Sequence, residues 1–422
     1  MLASGTIVHT EAKTEIRIKN LLGIGGQGPA YEGLVVKTGE RVVVKVFADA
    51  SRRDDYRKRA RLLVDMNLAA ACRAFCSPVN CLQGTDLAGH VAPFFEGASL
   101  AEIVYPPSGV PTTTLSDNLA VAIAVSHAFA MLHDIIGVVH GDIQLGNILC
   151  RCHDATIELA VIDFDNWARI HSKPEDPPPP MAGHLEYMAP EIRTEFLKGK
   201  PPLPTLESDR FALAVLLQEV ILQRHPGIDL VGDEFHSTMS QPWSDDPARV
   251  SNSSTSDSGY PASVLNAEIA GLFRRSIHPQ PAQRASATEW RRALCEAARS
   301  VYTCPLCRGV FIADAWTLHC PVCRLTFPLW ELSGTGSRLC LNSTLRVIGR
   351  SDLGDSPKVS KQHCIFRRMG PGMEVEAVGM NPTCLVRSGT ETPLVKGKPA
   401  PLEAGDRLRI ANVEVSVQLV AA

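Results

Sequence analysis

Apolar and polar residues alternate along the first fifty positions in a way that predicts short β-strands. The clearest runs are EIRIKNLL from Glu15 and RVVVKVF from Arg41, where apolar side chains recur at every second position or form a dense block. From about Asp54 to Arg73 the apolar spacing changes to that of an α-helix. The first part of the chain is therefore predicted to be a sheet followed by a helix.

Two longer apolar stretches predict helices further along. SDNLAVAIAVSHAFAMLHDI begins at Ser116, which is placed to cap the helix N-terminus, and SDRFALAVLLQEVIL covers residues 208–222. The second stretch is apolar on all sides, which is typical of a buried helix. Strands first and helices afterwards predict an α+β fold, with an N-terminal sheet lobe and a larger helical lobe.

The pattern breaks at two loops and changes near the C-terminus. PEDPPPPMAG (174–183) cannot form regular structure because its prolines lack backbone donors, and the polar, Ser-rich segment 228–262 is predicted to be a mobile insertion. After about Ser300 come two pairs of cysteines, a Gly-rich spacer SGTGS (333–337), and short alternating runs from Leu339 onwards. Those runs predict a small all-β domain.

Composition and charge restrict the class of protein. At 422 residues the chain is too long for one ordinary domain, and 45% hydrophobic with 21% charged residues is typical of folded protein. A net charge of −3 gives no electrostatic footprint for nucleic acid, and no basic run predicts a membrane surface. No signal peptide is visible, and no window reaches about 18 to 20 uninterrupted apolar residues. We therefore expect a cytoplasmic protein without a nucleic-acid or membrane partner.

Glycines and a lysine in the first sheet indicate phosphate binding. Gly23-x-Gly25-x-x-Gly28 lies in a strand–turn–strand context, where glycines let backbone N–H groups approach phosphates. Alone the motif is weak, since glycines also cluster in hairpins. Lys45 stands inside an apolar strand, which is unfavourable unless its ammonium meets a counter-charge such as phosphate.

With these features in place, roughly the first 300 residues resemble a eukaryotic-like (Hanks-type) Ser/Thr protein kinase of bacterial type. The matching landmarks, in chain order, are the Gly-rich motif, Lys45, Asp142, Asn147, Asp163-Phe164-Asp165, Ala189-Pro190-Glu191, Asp209 and Arg284. Asp and Asn residues also cap turns, but capping does not account for all of these spacings. The resemblance implies a bilobal kinase fold.

The resemblance also implies a role for each landmark. Asp142 would accept or orient the proton of the substrate hydroxyl, and Lys45 would neutralise the α- and β-phosphates of ATP. Asn147 and Asp163 would hold Mg²⁺ through hard oxygen ligands. The glycines at 23, 25 and 28 would cover the phosphates. Glu191 and Arg284 would form a buried, structural ion pair that ties down the activation segment, which ends at Ala189-Pro190-Glu191.

Several positions depart from the family pattern. Gly141 replaces an Arg that pairs with a phosphorylated loop, and Gln144 replaces a Lys that reaches the γ-phosphate. His184 stands in the place of the usual Thr. In the helix after Lys45 there is no glutamate, and Asp65 is the only acidic residue well inside it.

Two alternatives to an active protein kinase therefore stay open. The first is a nucleotide-binding pseudokinase that acts as an adaptor, since Gln144 lacks the positive charge of lysine. The second is a small-molecule phosphotransferase, because such enzymes also carry an HGD-x-x-x-x-N loop. Glu191 and Arg284 favour a protein substrate, with Ser or Thr as acceptor by resemblance. Between Asp163 and Glu191 the hydroxyl residues are Ser172 and Tyr187, so phosphorylation there is not expected to be the switch.

Four cysteines have the spacing of a metal site. CPLC and CPVC are separated by residues 308–319, which predicts a structural zinc ribbon with tetrahedral Zn²⁺. The four predicted ligands are Cys304, Cys307, Cys320 and Cys323. A unit this small rarely folds without metal, and its core would come from Tyr302, Phe311, Trp316 and Phe327. Two redox pairs are the alternative, but no thioredoxin-like βαβ pattern surrounds them. His319 is not expected to be a ligand.

From Leu339 the chain resembles a forkhead-associated (FHA) domain over about 80 residues. The matching marks are Gly349-Arg350, Ser360-Lys361-x-His363, Asn381-Pro382-Thr383 and GDRLRI. By resemblance, loops of a β-sandwich would bind phosphothreonine: Arg350 and Lys361 through the phosphate, Ser360 through a hydrogen bond, and Asn381 through the peptide backbone. His363 would brace the loops. The alternative is a sandwich that serves only as a scaffold.

The sequence thus predicts a multidomain protein of three parts. These are a kinase domain at 1–298 (N-lobe about 1–95, C-lobe about 96–298), a zinc ribbon at 299–332 and an FHA domain at 333–422. The expected cofactors are ATP, Mg²⁺ and a structural Zn²⁺. The expected partners are protein substrates and a phosphothreonine protein, or the chain's own Thr238 or Thr255 once phosphorylated. A PP2C-type phosphatase is a counterpart by family analogy.

Overall fold

A computed structural model of the chain describes most of its length in two compact units. The described residues are 1–84, 87–107, 113–153, 156–173, 176–177, 183–199, 203–227, 232–245, 259–304, 306–313, 317–327, 329–334, 337–341 and 345–420. The first unit comprises Met1–Ala262 and Glu268–Cys295, and the second comprises Ser263–Ala267 and Glu296–Ala422. Each unit is described by itself below.

The first unit begins with an antiparallel six-stranded sheet. The strands of this unit are β1 (Ile7–His9), β2 (Glu15–Gly25), β3 (Gly28–Val35), β4 (Arg41–Val46), β5 (Asn80–Cys81), β6 (Gly89–Pro93), β7 (Ala98–Ser99), β8 (Val138–Val139), β9 (Ile148–His153), β10 (Thr156–Val161) and β11 (Ala168–Arg169). The sheet has the order β1-β2-β3-β4-β6-β5. Ile16 and Ile18 on β2 are buried between exposed Glu15 and Arg17, so the predicted alternation is confirmed.

Helices form the rest of this unit. They are α1 (Arg53–Met66), α2 (Leu68–Ala71), α3 (Leu100–Val104), α4 (Leu115–Ala130), α5 (Pro190–Leu197), α6 (Leu206–Leu222), α7 (Gly232–Met239), α8 (Ala267–Ser276) and α9 (Ala287–Ala298). Every residue of α6 from 211 to 222 is buried, as its apolar sequence predicts. The small sheets β10-β9-β7 and β11-β8 lie among these elements.

The N-cap of α4 differs from the prediction. Thr114, not Ser116, caps the helix: its hydroxyl accepts from the Asp117 N–H at 3.2 Å, and the Asp117 carboxylate accepts from the Thr114 N–H at 2.9 Å. This reciprocal pair is a capping box, which fixes the helix start two residues earlier than the apolar pattern indicated.

The helical stretch Leu115–Ile136 consists of α4 and a π-helical turn after it. By length and composition it could cross a membrane, with a mean hydropathy of 1.8. However, 56% of that window is buried inside the fold, where α4 packs against α6. A core helix of a globular protein passes the same test, so this is weak evidence for a span.

The segment predicted to be a mobile insertion contains a helix. Residues 232–245 form α7 and a following turn, with Phe235 and Met239 buried. The Trp243 indole N–H donates to the Gln218 side-chain oxygen at 2.7 Å. Apolar anchors thus interrupt the polar sequence at these residues, and the mobility of the segment stays a prediction. Residues 246–258 lie outside the described part of the chain.

Strands make up most of the described part of the second unit, which also includes the last residues of α9. Its strands are β12 (Val301–Thr303), β13 (Val310–Ile312), β14 (Leu329–Gly334), β15 (Ser337–Cys340), β16 (Leu345–Ile348), β17 (Cys364–Met369), β18 (Gly372–Ala377), β19 (Thr383–Arg387), β20 (Thr390–Pro393), β21 (Pro399–Leu402), β22 (Arg407–Ile410) and β23 (Val413–Val420). A sheet β15-β14-β23-β22-β19-β20 and a sheet β16-β17-β18-β21 enclose one apolar core, which includes Trp330, Phe366 and Leu408. Strand β14 belongs to the larger sheet, so residues 329–332, expected in the ribbon, lie in the sandwich. Of the expected spacer 333–337, residues 333 and 334 end β14, residue 337 begins β15, and residues 335 and 336 lie outside the described part of the chain.

Candidate active site, metal centre and peptide site

A cleft of about 670 Å³ lies between the six-stranded sheet and the helical part of the first unit. The sequence-predicted residues Gly23, Gly25, Gly28, Lys45, Asn147 and Asp163 all line it. Residues 92–95, at the end of β6 and directly after it, line it as well, and sequence reasoning missed them. Their sequence APFF contains no charged or catalytic side chain that would mark a binding site. Such a strand end offers a ligand only backbone groups and apolar side chains.

Gly28 illustrates why the Gly-rich motif needs glycine. Its φ is +143°, and a Cβ there would lie 2.1 Å from the Val46 carbonyl oxygen. Only glycine lets β3 start so close to the end of β4. The turn between Gly25 and Gly28 therefore stays tight above the cleft, as the strand–turn–strand prediction required.

Asp209 on α6 fixes the start of the loop His140–Asn147. The backbone N–H groups of His140 and Gly141 donate to its two carboxylate oxygens, at 2.6 Å and 3.0 Å. His133 Nε2 lies 3.0 Å from the same carboxylate, which is 2% exposed. Buried charge-assisted hydrogen bonds of this kind hold a loop rigidly. The loop that carries Asp142 is thus anchored in the most buried helix.

Asp142 receives two amide donors from its own loop. Gln144 Nε2 donates to Asp142 Oδ1 at 3.0 Å, and Asn147 Nδ2 donates to Asp142 Oδ2 at 3.1 Å. Burial raises the pKa of Asp142, Asp163 adds to the rise, and His140 with the two amides partly offsets it. Gln144, in the place of the family's lysine, thus orients the carboxylate in this structure. A small groove beside Asp142 is lined by Gly183 and by residues 187–189.

Lys45 finds its counter-charges outside α1. Its ammonium lies 2.6 Å from Asp163 Oδ1 and 2.5 Å from Asp165 Oδ2, while Asp65 on α1 is exposed. Burial by itself would lower the pKa of Lys45, but Asp165 and Asp163 raise it above its ordinary value. Burial raises the pKa of Asp165 to about 7, a rise that Lys45 limits. Lys45 therefore stays charged at the floor of the cleft.

Asp163 is placed by an unusual backbone conformation. Its φ of +60° is left-handed, which is uncommon for a residue other than glycine, and it turns the carboxylate towards Lys45. Burial opposes ionisation, but Lys45 holds the net pKa of Asp163 below its ordinary value. Asp163 and Asn147 thus bring one carboxylate and one amide to the same side of the cleft.

Gly141 is required by the packing of the loop. Its φ is +78°, and a Cβ there would lie 2.3 Å from the Asn166 carbonyl oxygen. An arginine at this position would collide with the backbone that follows Asp165. His184 is exposed, with Nδ1 3.7 Å from the Glu186 carboxylate.

The predicted ion pair between Glu191 and Arg284 is present. Arg284 Nη1 and Nη2 donate to the two Glu191 oxygens at 2.6 Å and 2.8 Å, and the Arg284 side chain is fully buried. Arg284 also donates to the Glu207 carbonyl at 2.8 Å. This bidentate pair joins the start of α5 to the start of α6.

The four predicted cysteines of the second unit converge on one point. Their Sγ atoms all lie within 4.8 Å of one another, with 3.7 Å from Cys304 to Cys323 and from Cys307 to Cys320. Four thiolates bound to Zn²⁺ at about 2.3 Å would stand about 3.8 Å apart, so the donor set fits this ion. Arg308 and Arg324 adopt matching left-handed conformations after each pair.

The aromatic residues of the ribbon pack as predicted where the structure describes them. Phe311 and Phe327 stack with ring centroids 6.0 Å apart, and Tyr302 lies 5.6 Å from Phe311. Trp316 lies outside the described residues. His319 is exposed and belongs to no metal-binding cluster within the described part of the chain.

His363 braces two loops of the sandwich. Its Nδ1 accepts from the Ser360 N–H at 2.9 Å, its Nε2 donates to the Asn381 carbonyl at 3.0 Å, and burial lowers its pKa. Gly379 passes against the ring: a Cβ there would lie 2.6 Å from it. The ring therefore fixes the spacing between the loop at Ser360 and the loop at Asn381.

The four predicted phosphopeptide residues lie on these loops. The Ser360 hydroxyl accepts from the Met380 N–H at 3.0 Å, and Asn381 Nδ2 donates to the Lys358 carbonyl at 2.7 Å. Lys361 is exposed. Arg350 donates from Nε to the Val359 carbonyl at 2.9 Å, so its guanidinium braces the loop in this structure.

Comparison with known proteins identifies the first unit. The family model described as a protein kinase domain matches residues 16–293. The human serine/threonine-protein kinase TNNI3K is 23% identical over 231 residues, 54% of this chain and 26% of that protein. Wall-associated receptor kinase 3 of Arabidopsis thaliana is 26% identical over 204 residues, 48% of this chain and 26% of that protein.

A third relative combines two kinds of domain. The protein kinase and PP2C-like domain-containing protein of Oryza sativa subsp. japonica is 27% identical over 290 residues, 62% of this chain and 41% of that protein. The chain thus spans less than half the length of each of these three relatives. The cysteine quartet and the sandwich lie beyond the residues that the family model matches.

Proposed function

The chain belongs to the protein kinase family, and from that premise we propose that it transfers phosphate from ATP to serine or threonine of protein substrates. One observation carries the proposal: Lys45, Asn147 and Asp163 line a single cleft, and Asn147 hydrogen-bonds the carboxylate of Asp142. Phosphoryl transfer needs a cation for the phosphates, oxygen ligands for a metal ion and a candidate base. Lys45 is the cation, Asn147 and Asp163 offer the oxygen ligands, and Asp142 is the candidate base.

Each residue has a distinct task in the proposed reaction. Asp163 and Asn147 would hold Mg²⁺, which supplies charge neutralisation at the phosphates when bound. Lys45 would bind phosphate oxygens, and the turn between Gly25 and Gly28 would cover them with backbone N–H groups. Asp142, oriented by Gln144 and Asn147, would accept a hydrogen bond from the substrate hydroxyl and take its proton.

Phosphoryl transfer to a generic acceptor protein tests this function. Wild-type chain with radiolabelled ATP and Mg²⁺ is expected to label the acceptor, and phosphoamino-acid analysis to find phosphoserine or phosphothreonine. Asp142→Ala is expected to abolish the labelling while still binding ATP. ATP binding without any Asp142-dependent labelling would instead support the nucleotide-binding adaptor.

For the cysteine quartet we propose a structural zinc ion. Support comes from the 3.7 Å sulfur separations and from backbone N–H groups that approach sulfur, Gly309 to Cys307 and Cys323 to Cys320, at 3.4 Å and 3.5 Å. Four thiolates leave no open coordination position, so the ion would not be catalytic. Metal analysis of the purified chain is expected to find one zinc per chain.

For the sandwich we propose phosphothreonine binding by an FHA domain. Support comes from the His363 brace, which brings Ser360 and Asn381 together beside exposed Lys361. A phosphothreonine peptide library is expected to yield ligands that bind wild type and fail to bind Ser360→Ala. Equal binding by the variant would contradict the role of Ser360, and a library that yields no ligand would leave the sandwich as a scaffold.

Thr238 and Thr255, the two threonines of the chain that were predicted as ligands once phosphorylated, differ in what the structure describes of them. Thr238 is half-buried on α7, so it would have to leave the helix before an extended-peptide site could bind it. Thr255 lies outside the described residues. The cytoplasmic location and the PP2C-type counterpart stay predictions.

A further inference from the structure

The buried face of helix α1 carries a cation and no carboxylate among its described residues. Its acidic residues Asp54, Asp55 and Asp65 are all exposed, and Arg59 on its buried face is 4% exposed. Lys45 therefore has no partner on α1 among the residues that the structure describes. Yet its ammonium is buried, and a buried ammonium requires a counter-charge.

Asp165 supplies that charge from the segment that follows Asp163-Phe164. It is 6% exposed, and its Oδ2 lies 2.5 Å from Lys45 Nζ. It follows Asp163-Phe164 directly, at the position where the motif that the sequence resembles has glycine. Asp163 cannot serve alone, because its carboxylate is the one proposed to hold Mg²⁺. Once Asp163 turns to a metal ion, Asp165 is the carboxylate that remains beside Lys45.

Arg59 holds the backbone on which Asp165 stands. Its Nη2 donates to the carbonyl of Asp165 at 3.0 Å and also contacts the carbonyl of Trp167, and its Nη1 donates to the carbonyl of Pro177 at 2.9 Å. The guanidinium carbon lies 5.1 Å from the centre of the Trp167 ring. The cation on α1 thus binds carbonyl oxygens of the segment that carries the carboxylate.

The Gly-rich turn holds the same segment from above. Gln27 Nε2 donates to Asn166 Oδ1 at 2.9 Å, across 139 positions of sequence. Gly141 leaves the space that the Asn166 backbone occupies. Three separate elements therefore fix residues 165–167: the Gly-rich turn, α1 and the loop that bears Asp142.

We propose that Asp165 is the positioning residue for Lys45 in phosphoryl transfer, in the role that a glutamate of the helix after the lysine has elsewhere in the family. Arg59 and Gln27 keep Asp165 in place. The inference rests on the proposed kinase function. Asp165 does not touch the substrate: it keeps the ammonium of Lys45 pointed into the cleft after Asp163 has engaged the metal ion.

A double-mutant cycle on ATP binding tests the inference. The full chain is compared as wild type, Asp165→Asn, Lys45→Met and the double variant, with the dissociation constant of Mg²⁺–ATP measured by calorimetry. Asp165→Asn is expected to weaken binding about tenfold in the wild-type background and less than about twofold beside Lys45→Met, since residues in contact couple. Asp65→Asn, the matched control on α1, is expected to leave binding unchanged.

Other outcomes would overturn it. An equal loss in both backgrounds would mean that Asp165 acts on the metal or the fold, and a loss from Asp65→Asn would name Asp65 as the partner. If the wild-type chain binds Mg²⁺–ATP but shows no Asp142-dependent labelling, the proposed kinase function is wrong. The cycle would still measure the coupling between Asp165 and Lys45. If Asp165→Asn does not fold, a wild-type structure with Mg²⁺–ATP decides: a Lys45–Asp165 separation above about 4 Å contradicts the proposal.

Discussion

Gly141 is the residue at which a departure from the family pattern becomes a structural requirement. We expect Gly141→Ala to lower the free energy of unfolding by about 2 kcal/mol or more, because a left-handed backbone costs a non-glycine residue about 1–2 kcal/mol. The new Cβ would also lie 2.3 Å from the Asn166 oxygen. Urea denaturation measures the change. Gly271→Ala on α8 is the control: its Cβ would meet nothing within 4 Å, and a helical alanine is expected to be neutral or stabilising.

Gln144 tests whether an amide suffices where the family has a lysine. We expect Gln144→Ala to lower kcat about tenfold, since one positioned donor is commonly worth this much or more. The reason is that Asp142 would lose the hydrogen bond of 3.0 Å that orients its carboxylate. Steady-state kinetics with a protein acceptor measure kcat. Gln144→Lys keeps a donor and adds charge, so its kcat is expected to equal or exceed that of wild type. An unchanged kcat in Gln144→Ala would contradict the assigned role.

His363 makes the peptide loops sensitive to pH. Burial lowers its folded pKa below the unfolded value of about 6.5, so the neutral ring stabilises the fold fully above that pH. That stability is lost as pH falls from about 6.5 towards the lower folded pKa, because protonated Nδ1 cannot accept from Ser360. Amide hydrogen exchange at residues 358–361, corrected for intrinsic rates, is expected to accelerate over this window. His319→Gln, at an exposed histidine, is expected to keep the wild-type profile, and a flat profile in wild type would refute the role.

At the residue scale, the contact between Asp142 and Asn147 could be predicted from the sequence, whereas the carboxylates that contact Lys45 could not. Asp142 and Asn147 are five positions apart, so their contact follows from one loop. The contact between Lys45 and Asp163 spans 118 positions, and nothing in a periodic pattern encodes it. The sequence could show that α1 lacks a glutamate, but it could not show that Asp165 stands in its place.

At the scale of elements, one ion pair joins α5 to the chain before α9. We expect Glu191→Ala to lower the free energy of unfolding by about 3 kcal/mol, because it leaves the fully buried Arg284 guanidinium without its partner carboxylate. Arg275→Ala breaks the exposed pair with Glu289 and is expected to cost less than about 1 kcal/mol. Urea denaturation of both variants gives the comparison. Similar losses would mean that the Glu191–Arg284 pair is not a structural anchor.

The periodicity of apolar residues predicted that a helix or strand exists better than it predicted where the helix or strand begins. The sequence of α6 predicted a buried helix because its apolar residues lie on all sides. In the structure all twelve positions from 211 to 222 are buried. The start of α4 was placed at Ser116 because serine and threonine both cap helices, and only the reciprocal bonds with Asp117 select Thr114. Helix α7 was not predicted because the segment around it is polar in composition. The buried residues in and near this helix are Phe235, Met239 and Trp243.

At the scale of the whole molecule, the ends of the domains were the least predictable feature. The cysteine quartet marked the ribbon, and alternation marked the sandwich, but β14 begins at Leu329 and pairs with the last strand of the chain. A strand's partner across about 90 positions cannot be read from its own residues. The ribbon strands and the sandwich accordingly fall in one compact unit, separate from the kinase family match.

Removing the metal ion would test whether the cysteine ribbon depends on zinc for its stability while the kinase domain does not. We expect a strong chelator to abolish amide protection in Cys304–Ile312 and Cys320–Phe327 while α6 stays protected, since structural zinc supplies about 10 kcal/mol or more to units of this size. The four sulfurs lie within 4.8 Å of one another, and without an ion their thiolates would repel. Hydrogen exchange with mass spectrometry measures the protection.

Two variants and one alternative outcome make that experiment decisive. Cys304→Ser is expected to reproduce the chelator's effect, and Cys295→Ser, at an exposed cysteine of α9, is expected to have none. If the quartet is instead two redox pairs of thiols, the purified chain will contain no zinc and oxidation will form disulfides within residues 304–323. Ribbon protection that survives chelation would then show that the aromatic cluster of Tyr302, Phe311 and Phe327 holds this segment together without metal.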